Sequence, residues 1–235
     1  MSILILIPAR KGSKRIPNKN LKILGDKPLI QWTFDIAKQI NPGEEILVST
    51  DSDEIRKLAI AQGILCPWLR PDELATDFAT SVEVAIHSIE WYENNIKQIK
   101  GVLLLQPTSP FRNIDDLKKG IEIFNNHPGT SVIGVSPALN HPQWTFRIQD
   151  GHLDPFLDFA GLKTRSQDLE PAYCINGSFY LISPNLLKMH NSFFLNDSLA
   201  LVSVREETKI DIDTYSDWEI AENFIKSGKN LEINF

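Results

Sequence analysis

Four short apolar runs, rich in β-branched residues, recur along the chain at residues 3–7, 45–49, 101–105 and 131–135, each separated from the next by a polar or amphipathic stretch. This alternation constrains the fold more than any other feature. A strand covered by helices on both faces keeps no polar face, so an unbroken apolar run reads as a buried parallel strand. Between the runs lie helix-like segments at 28–40, 52–62, 81–94 and 114–125. In the third, Val82, Ala85, Ile86 and Ile89 fall at i, i+3, i+4 and i+7 and form one apolar stripe. Strand, helix, strand in repetition predicts a doubly wound α/β sheet. A length of 235 residues with 42% hydrophobic content suits a single main domain, 1–235, with a substantial core.

The rhythm breaks after about residue 136. The segment 137–170 is rich in Pro, Gly, Asp and isolated aromatics, with one plausible hairpin around 149–152, and reads as an insertion. Such an insertion cannot bury Trp144, Phe146, Phe156 and Phe159 by itself, which predicts packing against a second subunit. Strand-like runs resume at 177–183 and 199–204, and a helix at 215–226 closes the pattern.

With 30 Asp and Glu against 24 Lys and Arg, net charge −6, the chain has no general attraction for nucleic acid or for anionic membrane surfaces. The apolar residues 2–7 are too few for a signal-peptide core or a membrane span, so a cytoplasmic protein is expected. Cys66 and Cys174 stand alone, which suits a reducing compartment. The five histidines lack the close pairing of a zinc site.

Against this acidic balance, the sequence IPARKGSKRIPNKN at 7–20 gathers Arg10, Lys11, Lys14, Arg15 and Lys19 directly after the first predicted strand. Open α/β sheets bind ligands at the carboxyl ends of their strands. Gly12 and Ser13 let the backbone approach an anion, and the combination suits a polyphosphate. The loop matches neither G-x-x-x-x-G-K-[ST] nor G-x-G-x-x-G. A solvated basic loop is the plain alternative, and the position after the first strand favours the polyphosphate. Asp211 and Asp213, at i and i+2 of an extended segment, project to one side and suit a hard cation such as magnesium. Their alternative is helix capping by Asp213 or Thr214, with Asp217 favourable to the helix dipole. Gln106 follows a buried strand and has an amide able to read a base or sugar; its alternative is a turn, with Thr108, Ser109 or Asn113 serving helix starts. Arg70 and Ser81 flank the loop 71–80, where a surface arginine and a helix cap are the alternatives. Arg165 and Gln167 lie in the insertion.

Taken together these residues resemble the cytidylyltransferases of nine-carbon acidic sugars: the CMP-N-acetylneuraminic acid synthetases and their legionaminic and pseudaminic acid relatives. The family pattern A-R-x-G-S-K-x-x-x-x-K-N is similar to Ala9 through Asn20. Further matches are Ser49-Thr50-Asp51-Ser52-Asp53-Glu54-Ile55, Arg70-Pro71 with Leu74-Ala75, Gln106-Pro107-Thr108-Ser109-Pro110, Tyr173 with Asn176-Gly177-Ser178, and Asp211-Ile212-Asp213-Thr214. Lys11 and Arg15 stand where many members have glycine. Arg165 lies one residue before the position of the arginine that often precedes Gln-Asp.

The resemblance implies a Rossmann-like doubly wound mixed sheet, the nucleotide-diphospho-sugar transferase fold, in a homodimer whose insertion reaches the partner. It implies a transferase that joins CTP to a nonulosonic acid. Arg10, Gly12, Ser13, Lys14 and Asn20 would hold the nucleotide, with Arg10 and Lys14 acting on its phosphates. Arg70, Ser81 and Gln106 would line the nucleotide and sugar pocket. Arg165, Gln167, Tyr173 and Asn176 would serve the sugar, with Arg165 or Lys163 meeting its carboxylate, and Asp211 and Asp213 would bind Mg2+. Two rivals are a cytidylyltransferase for the eight-carbon sugar Kdo, whose first loop usually reads R-x-x-S-x-R-x-P-x-K, and a non-catalytic nucleotide-binding regulatory module.

Overall fold

A computed structural model describes residues 2–40 and 45–228; residues 1, 41–44 and 229–235 of the expected 1–235 domain lie outside the described residues. In chain order, β1 (Ser2–Pro8) leads through β2 (Ile23–Leu24) and β3 (Lys27–Pro28) into α1 (Leu29–Gln39). Next come β4 (Glu45–Ser49), α2 (Asp53–Ala61), the single turn α3 (Asp72–Ala75), α4 (Ser81–Asn95), β5 (Ile99–Leu104), α5 (Ile114–Asn126) and β6 (Val132–Pro137). The hairpin β7 (Phe146–Gln149) and β8 (His152–Pro155) is followed by β9 (Tyr173–Ile182), α6 (Pro184–His190), β10 (Leu199–Val202) and α7 (Tyr215–Lys226).

The six-stranded sheet runs β10-β6-β9-β5-β1-β4. Ile3 to Ile7 of β1 are all fully buried. Ile3, Ile5 and Ile7 pack on one face with Ile30 and Phe34 of α1, Ala59 of α2 and Phe124 of α5. Leu4 and Leu6 pack on the other with Ala85 and Ile89 of α4 and Leu187 of α6. Helices on both faces explain the unbroken apolar run, since each buried Ile or Leu contributes about 1.5–3 kcal/mol and neither face meets water.

All strands of the sheet run parallel except β9, which lies antiparallel between β5 and β6. It also begins at Tyr173, four residues before the run visible in sequence. Tyr173, Cys174 and Ile175 are exposed, so that end carries no burial pattern. Gly177 sits within the strand at φ 72, where a Cβ would approach Ser109 Oγ to 2.6 Å. Glycine thus permits both the bulge and the close approach.

A third cluster joins Ile16 of the basic loop, Trp32 of α1, Phe111, Ile212 and Trp218 of α7. It seats the basic loop and the Asp211–Asp213 segment on one apolar base. In the insertion, the expected hairpin turns through Asp150 (φ 50) and Gly151 (φ 82), the left-handed pair that matches the twist of two short strands. Ile148, Phe156 and Phe159 are exposed there. No helix among the described residues is long and apolar enough to cross a membrane.

Candidate active site

In register, Pro8 of β1 lies opposite Ser49 of β4, and Leu6 lies opposite Leu104 of β5. The segments that leave these carboxyl ends therefore converge, and they enclose a cleft of about 420 Å³. Of the residues anticipated from sequence, Arg10, Gly12, Ser13, Lys14, Asn20, Arg70, Ser81, Gln106 and Asp213 line it.

The basic loop is fixed from beneath. The Lys11 amide donates to Asp51 Oδ1 (2.6 Å), Asn20 Nδ2 donates to the Arg10 carbonyl (2.9 Å), and Ile16 is fully buried. Lys19 is buried too, its Nζ donating to the Ile212 carbonyl (2.6 Å) and to Asp213 Oδ1 (3.0 Å). Arg10 and Lys14 face the cleft and both contact Asp77, at 2.7 and 2.6 Å. Hydrogen bonds from Lys14 and then Arg10 hold the Asp77 carboxyl below the usual carboxylate range. A Cβ at Gly12 would meet no atom within 4 Å, so the protein leaves open space at that point.

Arg70 is not a surface arginine. It is 6% exposed, its Nε donates to Ser49 Oγ (3.0 Å), and its second guanidinium nitrogen reaches the Ser49 carbonyl. Burial pulls its pKa down to about 10, partly countered by Asp51. Ser81 is not the cap of α4: Thr80 and Glu83 form the capping box. The Ser81 hydroxyl instead accepts from Gln106 Nε2 (3.3 Å), which joins the two sides of the cleft. Asn113 caps α5 through its side-chain oxygen.

Asp211 and Asp213 flank the buried Ile212, whose amide donates to the Thr108 carbonyl (2.7 Å). The cap of α7 belongs to Thr214 and Asp217, which leaves Asp213 to face Lys19 and Arg15. Asp211 lies outside the cleft lining and accepts from the Ser109 hydroxyl (3.2 Å). Among the described residues no group of three or more His, Cys, Asp or Glu gathers as a metal cage. Asp211 and Asp213 do supply carboxylate oxygens, the donor class that magnesium takes, and magnesium needs few protein ligands because it keeps several waters.

Four other anticipated residues are outside the cleft lining. Arg165 and Gln167 are exposed in the insertion, and Tyr173 is exposed at the start of β9. Asn176 is buried, its amide donating to Ser136 Oγ (2.9 Å) and accepting from the Ser178 amide (3.1 Å) and hydroxyl (2.7 Å). Sequence reading missed Asp77 and Arg112. Arg112 is buried, donating to the carbonyls of Ser178 (2.7 Å) and Gln106 (2.6 Å) and to Thr33 Oγ1 (3.2 Å). Burial lowers its pKa to about 9, against the attraction of Asp211. Its apolar context, Pro110-Phe111-Arg112, was the available signal.

An open α/β sheet with a cation-lined cleft at the carboxyl edge of its parallel strands defines a nucleotide-binding enzyme of Rossmann-like type. The family described as Cytidylyltransferase matches residues 4–149. CMP-N,N'-diacetyllegionaminic acid synthase of Legionella pneumophila is 38% identical over 96% of this chain and 97% of its own. Pseudaminic acid cytidylyltransferase of Campylobacter jejuni is 31% identical over 96% and 97%. N-acylneuraminate cytidylyltransferase of Streptococcus agalactiae is 33% identical over 93% of this chain and 52% of its own. A solved CMP:2-keto-3-deoxy-manno-octonic acid synthetase complexed with CTP shares the fold, with TM-score 0.71 at 15% identity, over 97% of this chain and 100% of the other. The chain belongs to the cytidylyltransferase family and is a nucleotidyltransferase.

Proposed function

We propose that the protein transfers CMP from CTP to a nonulosonic acid of the legionaminic, pseudaminic or neuraminic type, releasing pyrophosphate. The observation that carries this reading is the convergence of Arg10 and Lys14 with Arg70, Ser81 and Gln106 on one cleft. Similarity along almost the whole chain to a CMP-N,N'-diacetyllegionaminic acid synthase supports that acid as the first acceptor to try.

In this reading the anomeric hydroxyl of the sugar attacks the α-phosphorus of CTP in line and pyrophosphate leaves. Such a transfer depends on placing charge where charge develops rather than on covalent help from the protein. Arg10 and Lys14 meet the phosphates, while the Gln106 amide, steadied by Ser81, orients the nucleotide or sugar. Asp211 and Asp213 would hold Mg2+, which when bound neutralises charge on phosphate oxygens. Arg165 and Gln167, exposed on the insertion with several apolar side chains, suit a homodimer in which that arm completes the sugar side of a neighbouring cleft.

A pyrophosphate-release assay with CTP, Mg2+ and a panel of N,N'-diacetyllegionaminic, pseudaminic, N-acetylneuraminic and Kdo acids tests the proposal. Turnover with one or more nine-carbon acids is expected. Turnover with Kdo alone, or CTP binding without release on any acid, would overturn it.

A further inference from the structure

The cleft contains an acid that the proposed chemistry leaves without a task. Asp77 accepts from Arg10 through one carboxylate oxygen (2.7 Å) and contacts Lys14 Nζ through the other (2.6 Å). One anion thereby occupies both cations assigned to the triphosphate. Two oxygens of a single acid, each on a different cation, reproduce the charge-assisted pattern that two phosphate oxygens would make.

The segment carrying Asp77 is held at its ends. On one side Arg70 is buried against Ser49, and on the other Thr80 and Glu83 close the capping box of α4. Between these anchors Thr76, Asp77 and Phe78 are exposed, Phe78 at 94%. The Ala79 amide bonds locally, to Thr76 Oγ1 (3.2 Å). Arg10 also donates to the Thr76 carbonyl (3.3 Å), so contacts from Arg10 and Lys14 join this stretch to the basic loop. Displacing the carboxylate would uncover no apolar core.

We propose that Asp77 is a positioning residue that stands in for nucleotide phosphate: it holds Arg10 and Lys14 at the cleft before CTP binds and leaves them as the triphosphate arrives. The inference rests on the reading of the cleft as a CTP site. Its consequence is a trade between order and affinity. The cations are placed in advance, yet each phosphate must displace a carboxylate, and pyrophosphate departs as Asp77 returns.

Calorimetry on the full chain, with pyrophosphate and with CTP as separate probes, tests this. Asp77→Asn and Asp77→Ala are expected to bind both about fivefold tighter than wild type, with a lower KM for CTP and no gain in kcat. A purely structural Asp77 would produce the reverse, weaker binding on removal. Asp72→Asn removes the same charge from α3 outside the cleft lining and is expected to change both Kd values less than about twofold. Equal or weaker binding by both Asp77 variants, or an equal gain in Asp72→Asn, would overturn the inference alone. Wild-type protein that bound neither probe would overturn the reading of the cleft together with it.

Discussion

Lys14 and Arg112 are both cations near the cleft, and burial separates their tasks. The Lys14 side chain is 76% exposed and meets Asp77, so its charge is available to a ligand at small structural cost. Lys14→Ala is expected to lower pyrophosphate release about a hundredfold, or about 2.7 kcal/mol, with Tm unchanged. A matched fall in Tm would instead mark a structural lysine. Arg112 spends its guanidinium on two carbonyls and a hydroxyl. Arg112→Met leaves the Ser178 and Gln106 carbonyls without those donors and is expected to cost about 3 kcal/mol, read as a lower urea midpoint. Retention of wild-type stability would show that water replaces the guanidinium. The Lys14 position was legible because it belongs to a dense local motif. Arg112 showed only its apolar context and Asp77 nothing, because the partners that give them meaning, such as Ser178 and Thr33 for Arg112 and Arg10 for Asp77, lie more than sixty residues away.

At the scale of elements, parallel strands and their helices were legible because burial on both faces writes itself into the sequence as continuous apolar runs. The orientation of β9 was not, since an apolar run is the same read in either direction and its exposed first half shows no pattern at all. Helix starts were narrowed to within a residue: at α4 the cap is Thr80 beside the expected Ser81, and at α7, where Asp213 and Thr214 both stood as candidates, it is Thr214. The layer between α5 and the sheet is closely packed at Gly120. A Cβ on Gly120 would stand 2.5 Å from Phe179 and 2.9 Å from Leu201. Gly120→Ala, although favourable to an isolated helix, is therefore expected to destabilise by about 1–3 kcal/mol in chemical denaturation. A stabilised variant would mean that Phe179 can turn aside without loss.

For the whole molecule, the insertion is the part whose surface looks unfinished. Ile148, Leu153, Phe156, Leu157 and Phe159 are each more than half exposed on this one arm. Clustered exposure of this kind marks an interaction surface more often than chance. Sedimentation velocity at micromolar concentration is expected to give a dimer, and Phe159→Asp combined with Ile148→Asp a folded monomer by circular dichroism. A monomeric wild type would remove the partner from the account of the sugar site.

The inverted strand bears on how the molecule is made. β5 and β6 succeed each other in the chain, but they are not neighbours in the sheet, because β9 lies between them. A ribosome that has finished β6 must still emit the whole arm and then residues up to 182 before that gap can be filled. Until then the nascent sheet has unpaired inner edges on β5 and β6, the kind of edge that invites pairing with other chains. The central hydrogen-bond ladder thus cannot close before the arm has been made, although the arm itself contributes no strand to that ladder.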